Sequence, residues 1–125
     1  THPQPTPATH TPLSEMFGCV SLRPFEQLSL MMQRGKVVDS VGPDVYVLPA
    51  NAKRLALPIS FVAGANNELF FAETCIRTQR WLSAFNDPAL YTRQVFDGYA
   101  HMDLFIGRDA AGDVFPYLIS QLEKC

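Results

Sequence analysis

The sequence predicts an α/β fold in which parallel strands are joined by crossover helices, preceded by an N-terminal helical or irregular excursion. Three observations carry that expectation. The run Pro58-Ile59-Ser60-Phe61-Val62-Ala63-Gly64 is short and almost wholly apolar, as a strand covered on both faces must be. From Pro58 onward the pattern alternates strand, helix, strand, helix, and the simplest product of that order is a parallel pair with a helix crossing between its strands. Both strands run into polar, glycine-bearing loops, at Gly64–Phe70 and Asp97–Gly107. If the strands pair, those loops leave the same edge of the sheet, where α/β proteins bind ligands.

The elements follow in order. Thr1 to Pro12 holds Pro3, Pro5, Pro7 and Pro12 among small polar residues and reads as an extended linker or arm, because proline fixes φ and removes amide donors. Its His2 and His10 are poorly spaced for a metal. Residues 13–57 read as a helical, cap-like and connecting segment. Thr11-Pro12 can open a short helical turn through Met16, which Gly18 stops. A better helix begins at Pro24, with Phe25, Leu28, Met31 and Met32 on one apolar face, and Gly35 stands where a helix-ending glycine belongs. Core packing is the expected use of that face, with a ligand pocket around the Met pair as the alternative. Val37-Val38 and Val45-Tyr46-Val47 flank the turn signal Gly42-Pro43-Asp44, giving a small hairpin or an irregular excursion. Asn51 to Leu57 reads as a connector. Residues 58–125 form the β-α-β-α unit. After the Pro58–Gly64 strand comes a helix over Ala72–Phe85, with Cys75, Thr78, Leu82 and Phe85 on its buried stripe. A strand over Leu90–Phe96 is mixed enough in polarity to lie near a sheet edge. The last helix covers Asp113–Lys124, with Pro116 in its first turn or, if the helix starts near Asp109, at a kink.

Composition narrows the function classes. With 125 residues and 47% hydrophobic side chains, the chain can bury one modest core. A net charge of −2, with Arg77 and Arg80 as the densest basic pair, gives no electrostatic footprint for nucleic acid. No apolar run approaches the length of a membrane span. Cys19, Cys75 and Cys125 lack C-x-x-C spacing, which points to two buried cysteines and one exposed terminal thiol rather than to disulfides or zinc. The chain opens on Thr1 rather than Met and reads as the C-terminal part of a longer polypeptide; cytoplasm is the default compartment.

The chemistry concentrates in Gly98-Tyr99-Ala100-His101-Met102-Asp103. His101 is the one histidine beyond the N-terminal tail, and it lies between the last strand and the last helix. Taken alone it is a structural histidine by default. Its neighbours change the reading. Tyr99-Ala100-His101-Met102-Asp103-Leu104-Phe105, followed by Gly107, Asp109-Ala110 and Val114, resembles the histidine loop of α/β-hydrolases of the acid-lipase and esterase type. Phe61-Val62-Ala63-Gly64-Ala65-Asn66-Asn67 is similar to the strand and loop that carry the triad acid in that family. Phe17-Gly18, the Phe25–Gly35 segment, Asp44-Val45-Tyr46 and Arg54-Leu55-Ala56-Leu57-Pro58 also resemble a narrower group: the hydrolase-like region associated with cholesterol-oxidase-type flavin (GMC) oxidoreductases.

The resemblance implies a partial α/β-hydrolase fold and a division of roles. His101 is the general base, since imidazole takes and returns protons near neutral pH. The acid position falls on Asn67, an amide that can orient a ring but cannot stabilise an imidazolium; the same exchange costs ~10⁴ in turnover in a serine protease triad. Glu68, one residue on, or an acid from elsewhere, could serve instead, and Asn67 could equally be a turn residue that tolerates positive φ. Asp103 matches a structural position of the motif. No serine of the chain has the Gly-x-Ser-x-Gly setting of a nucleophile elbow, which in this family precedes acid and base. The resemblance therefore implies the C-terminal part of a serine hydrolase acting on a carboxylic ester of a lipophilic or sterol-like compound, needing no cofactor, inactive alone and partnered by the missing N-terminal half of its domain. The alternative is a non-catalytic interaction module attached to a flavin-dependent cholesterol or alcohol oxidase domain.

Overall fold

The structure, a computed structural model, describes residues 5–16 and 18–124. His2, Phe17, Cys125 and the side chain of His10 lie outside the described residues. The chain is mixed α/β, with a two-stranded parallel sheet and several helices. In order these are α1 (Pro7–Met16), α2 (Arg23–Arg34), α3 (Pro49–Arg54), β1 (Ile59–Gly64), α4 (Ala72–Ser83), β2 (Tyr91–Phe96), α5 (Asp103–Ile106), α6 (Ala110–Asp113) and α7 (Phe115–Leu122). Among the described residues no helix is long and apolar enough to cross a membrane.

β1 and β2 pair in parallel, with Ile59 opposite Tyr91 and Gly64 opposite Phe96. Side chains alternate along a strand, so odd positions share one face and even positions the other. The odd face carries Ile59, Phe61 and Tyr91, packed with Leu82 and Trp81 of α4 and Ala52 of α3. The even face carries Val62 and Phe96, packed with Tyr99, Leu104, Val114 and Leu118. On that face Tyr117 of α7 meets Ser60 through a 2.9 Å hydroxyl–hydroxyl hydrogen bond. Helices therefore cover both faces of the sheet, which is why β1 can be apolar apart from Ser60.

Several local expectations change. Proline was expected to keep 1–12 extended, yet α1 begins at Pro7. The Thr6 side chain accepts the Thr9 amide at 3.3 Å, an N-terminal cap directly before a proline whose missing amide costs nothing in the first turn. α3 stands where a connector was expected: Pro49 opens it and Ala52, fully buried, anchors it under Leu82. Residues 36–48 take the irregular alternative instead of a hairpin. There the Asp39 carboxylate accepts the amides of Val41 and Gly42, Lys36 pairs with Asp44 at 2.6 Å, and Val38 is fully buried. Lys36 holds the Asp44 carboxyl below its ordinary range, chiefly through that hydrogen bond.

α2 forms as expected and ends at Gly35, whose φ of 65° only glycine adopts without strain. Its apolar face does not enter the core: Phe25 and Met32 are 57% and 75% exposed, and Leu28 is exposed as well. On α4, Thr78 faces solvent and bonds back to the Thr74 carbonyl, while Gln79 takes the inward position and donates to the Tyr91 carbonyl. A stripe at helical spacing admits either neighbour, and the strand's free carbonyl selected the amide. Cys19 is exposed and Cys75 half-buried, so the pair of buried cysteines expected from composition is not found. α7 starts at Phe115, with Pro116 in its first turn.

Candidate functional site

The loops that leave the carboxyl ends of β1 and β2 are knitted by backbone bonds. Ala65 donates to the Phe96 carbonyl and Asn66 to the Tyr99 carbonyl, each at 2.9 Å. Gly64 makes the approach possible: a Cβ there would run into the backbone of Tyr99 and Ala100. Asp103, fully buried, accepts the Ala100 amide at 2.8 Å and so closes the turn that carries His101. Tyr99, also buried, donates its hydroxyl to Asp113 at 2.7 Å. Burial, the hydrogen bond to Asp113 and nearby carboxylates push the Tyr99 phenol up to about 12. Further along, Arg108 pairs with Asp109 at 3.0 Å and holds that carboxyl below its ordinary range. The Asn66–Tyr99, Ala100–Asp103 and Tyr99–Asp113 hydrogen bonds fix the Tyr99–Asp103 segment.

The result is a contact between two residues 34 positions apart: Asn67 Nδ2 lies 3.3 Å from His101 Nδ1. Asn67 is buried and His101 half-buried. The orientation of the amide is set by the chain itself. Asn67 Oδ1 accepts the backbone amides of Leu69, at 3.1 Å, and Phe70, at 2.9 Å. Those donors need an oxygen, so the NH₂ group faces the ring. A neutral imidazole has one N–H and one lone pair, and an NH₂ donor calls for the lone pair. Nδ1 is thus the acceptor and the ring proton sits on Nε2. In a serine triad the acid holds the opposite tautomer, with the proton on Nδ1 and the Nε2 lone pair free.

Glu68 follows Asn67 on the exposed side of the turn, while the Nδ1 position that a triad acid would engage is held by Asn67. Phe70 packs its ring against the imidazole, with centroids 5.0 Å apart and planes tilted by 53°. Asn67, Phe70, Cys75, His101, Leu104 and Phe105 border a cleft of about 240 Å³. Its walls are largely apolar, with His101, Asn67 and Thr74 as polar side chains on its border. Among the described residues no group of three His, Cys, Asp or Glu side chains could hold a metal ion.

Phe70 and Gly64 are the site residues that sequence reasoning did not assign. Gly64 had a signal, since glycine at the end of an apolar strand often marks a close backbone approach. Phe70 had a weaker one, three residues beyond an Asn whose side chain can fold back on the chain. No family model, curated protein or solved structure matches this chain.

Proposed function

We propose that this chain is the histidine-bearing part of an α/β-hydrolase-type domain, in which His101 occupies the general-base position and Asn67 the position of the group that orients it. One observation carries the reading: Asn67 and His101 meet at 3.3 Å across the two loops at the carboxyl ends of parallel strands. The reaction class is acyl transfer from a lipophilic carboxylic ester, with the nucleophilic serine and oxyanion donors contributed by polypeptide outside this chain. The apolar cleft beside His101 suits the acyl or alcohol moiety of such an ester. The test is hydrolysis of p-nitrophenyl butyrate by the product of the complete reading frame, with and without His101→Ala. A base role predicts a loss of at least ~10²-fold in turnover. Unchanged turnover removes His101 from the chemistry.

A second reading is favoured by the direction of the Asn67 amide. With Leu69 and Phe70 holding Oδ1, Nε2 carries the proton and has no lone pair with which to deprotonate a serine. That supports a hydrolase-like module without turnover; the sequence resemblance implies its attachment to a flavin-dependent alcohol or sterol oxidase domain, where the fold would serve packing or substrate delivery. Asn67→Asp separates the readings. Aspartate keeps an oxygen for Leu69 and Phe70 and presents a second acceptor to Nδ1. In the module, ester turnover is absent before the change; in a working esterase it is present before and rises after.

A further inference from the structure

We infer that His101 is a hydrogen-bond donor, its tautomer fixed by Asn67, and that the cleft it borders binds an uncharged lipophilic molecule through a single carbonyl oxygen. The inference rests on the second reading above and gives that module a ligand class. The chain of contacts is short. The Leu69 and Phe70 amides fix Asn67 Oδ1, Asn67 Nδ2 donates to His101 Nδ1, and the remaining proton is placed on Nε2. Nε2 has no hydrogen-bond partner among the described residues, whereas Nδ1 is saturated. The Phe70 ring, 5.0 Å from the imidazole, restricts its rotation, so the N–H is held in place before any ligand arrives.

The surroundings of that N–H define what it takes. The cleft of about 240 Å³ is walled by Phe70, Leu104, Phe105 and Val114, and among the described residues no Lys, Arg, Asp or Glu side chain lines it. A carboxylate or phosphate would enter with no cation to meet it, at a large desolvation cost. A pure hydrocarbon would leave the N–H without an acceptor, which costs about 1–3 kcal/mol where the donor is cut off from water. A molecule with an apolar body and one acceptor oxygen satisfies both. An alcohol brings a proton of its own that needs an acceptor such as Thr74 Oγ1 on the cleft border, whereas a ketone or ester carbonyl needs only the His101 donor.

The experiment uses the full chain, ¹⁵N-labelled at histidine, with cyclohexanone and methylcyclohexane as the probes. Long-range ¹H–¹⁵N spectra distinguish a ring protonated at Nε2 from one protonated at Nδ1. The expected result is an Nε2-protonated His101 whose Nε2 resonance shifts on titration with cyclohexanone, together with the methyl signals of Leu104 and Val114. Methylcyclohexane should bind at least tenfold more weakly. At a pH high enough to keep the ring neutral beside the new carboxylate, Asn67→Asp should move the ring proton to Nδ1 and reduce cyclohexanone to the affinity of the hydrocarbon, with the methyl spectrum otherwise retained as proof of folding. An Nδ1-protonated ring in the unaltered chain, or equal binding of ketone and hydrocarbon, overturns the inference. Ester turnover by the complete polypeptide with Asn67 in place overturns the underlying module reading instead, so the two failures are told apart.

Discussion

α2 and α4 are each 12 residues long, each amphipathic by sequence, and they meet opposite fates. α4 crosses between β1 and β2, and Leu82 is almost fully buried there against Ala52 and Tyr91. α2 buries no residue, although Phe25, Leu28, Met31 and Met32 mark its apolar face as clearly as any stripe on α4. Its tertiary ties are to the loop that follows: Gln27 donates to the Val38 carbonyl at 3.1 Å, and Leu30 and Arg34 lie over Gly42. An amphipathic pattern thus declares that a helix has a face to cover, but the cover must come from a neighbour. β1 and β2 provide one for α4. The exposed face of α2 is the kind of apolar surface that a further domain or chain covers in many proteins.

Four measurements sharpen that contrast. The largest effect belongs to Leu82→Ala, which should lower the free energy of unfolding by about 2–5 kcal/mol in urea titrations, while Leu28→Ala on α2 stays within about 0.5 kcal/mol. Similar losses for both would mean that α2 is packed in solution. Next comes Tyr91→Phe. The Tyr91 hydroxyl donates to the Leu55 carbonyl and accepts from Asn86, each at 2.8 Å, tying the end of α3 to the sheet. Its loss should cost about 1–2 kcal/mol and speed hydrogen exchange of the α3 amides ahead of those in β1.

The third concerns pH. The Tyr99 phenol is pushed up to about 12 in the folded chain, against 10.0 when free. Above pH 10 the unfolded chain has released that proton and the folded chain still holds it. Stability is therefore complete below pH 10 and falls as pH rises toward about 12. Tyr99→Phe should flatten this part of the profile in urea titrations at stepped pH, and a slope that survives the change would assign it to other groups. The smallest effect belongs to Arg77→Ala. The exposed Arg77–Glu73 pair on α4, at 3.2 Å, should contribute about 0.3–0.5 kcal/mol and vanish in high salt. α4 is held by its buried face, and a larger loss would show otherwise.

Much of the sheet was legible in the residues. An apolar run from Ile59 to Gly64 bounded by proline and glycine is a strand by composition, and the alternation with Ala72–Ser83 and Tyr91–Phe96 dictates a parallel partner. That the Asn67 and His101 loops are neighbours followed from the same order. α1 and α3 were less legible because both sit in proline-bearing stretches, where a proline in the first helical turn and one deterring extended structure look alike until the preceding residue shows its cap or its extended backbone. The choice of Gln79 over Thr78 was invisible for a different reason: the deciding partner, the Tyr91 carbonyl, lies 12 residues away.

The sequence by itself determined the elements of the sheet, their parallel sense and the histidine loop, because periodicity, proline and glycine act through neighbouring residues. Only the tertiary structure decided which apolar faces found cover and which atom of Asn67 meets the imidazole. The amide of Asn67 has an oxygen and a nitrogen of nearly equal shape, and nothing in its identity says which will turn toward His101. The Leu69 and Phe70 amides settle it by demanding the oxygen, and with it the side of the ring that carries the proton.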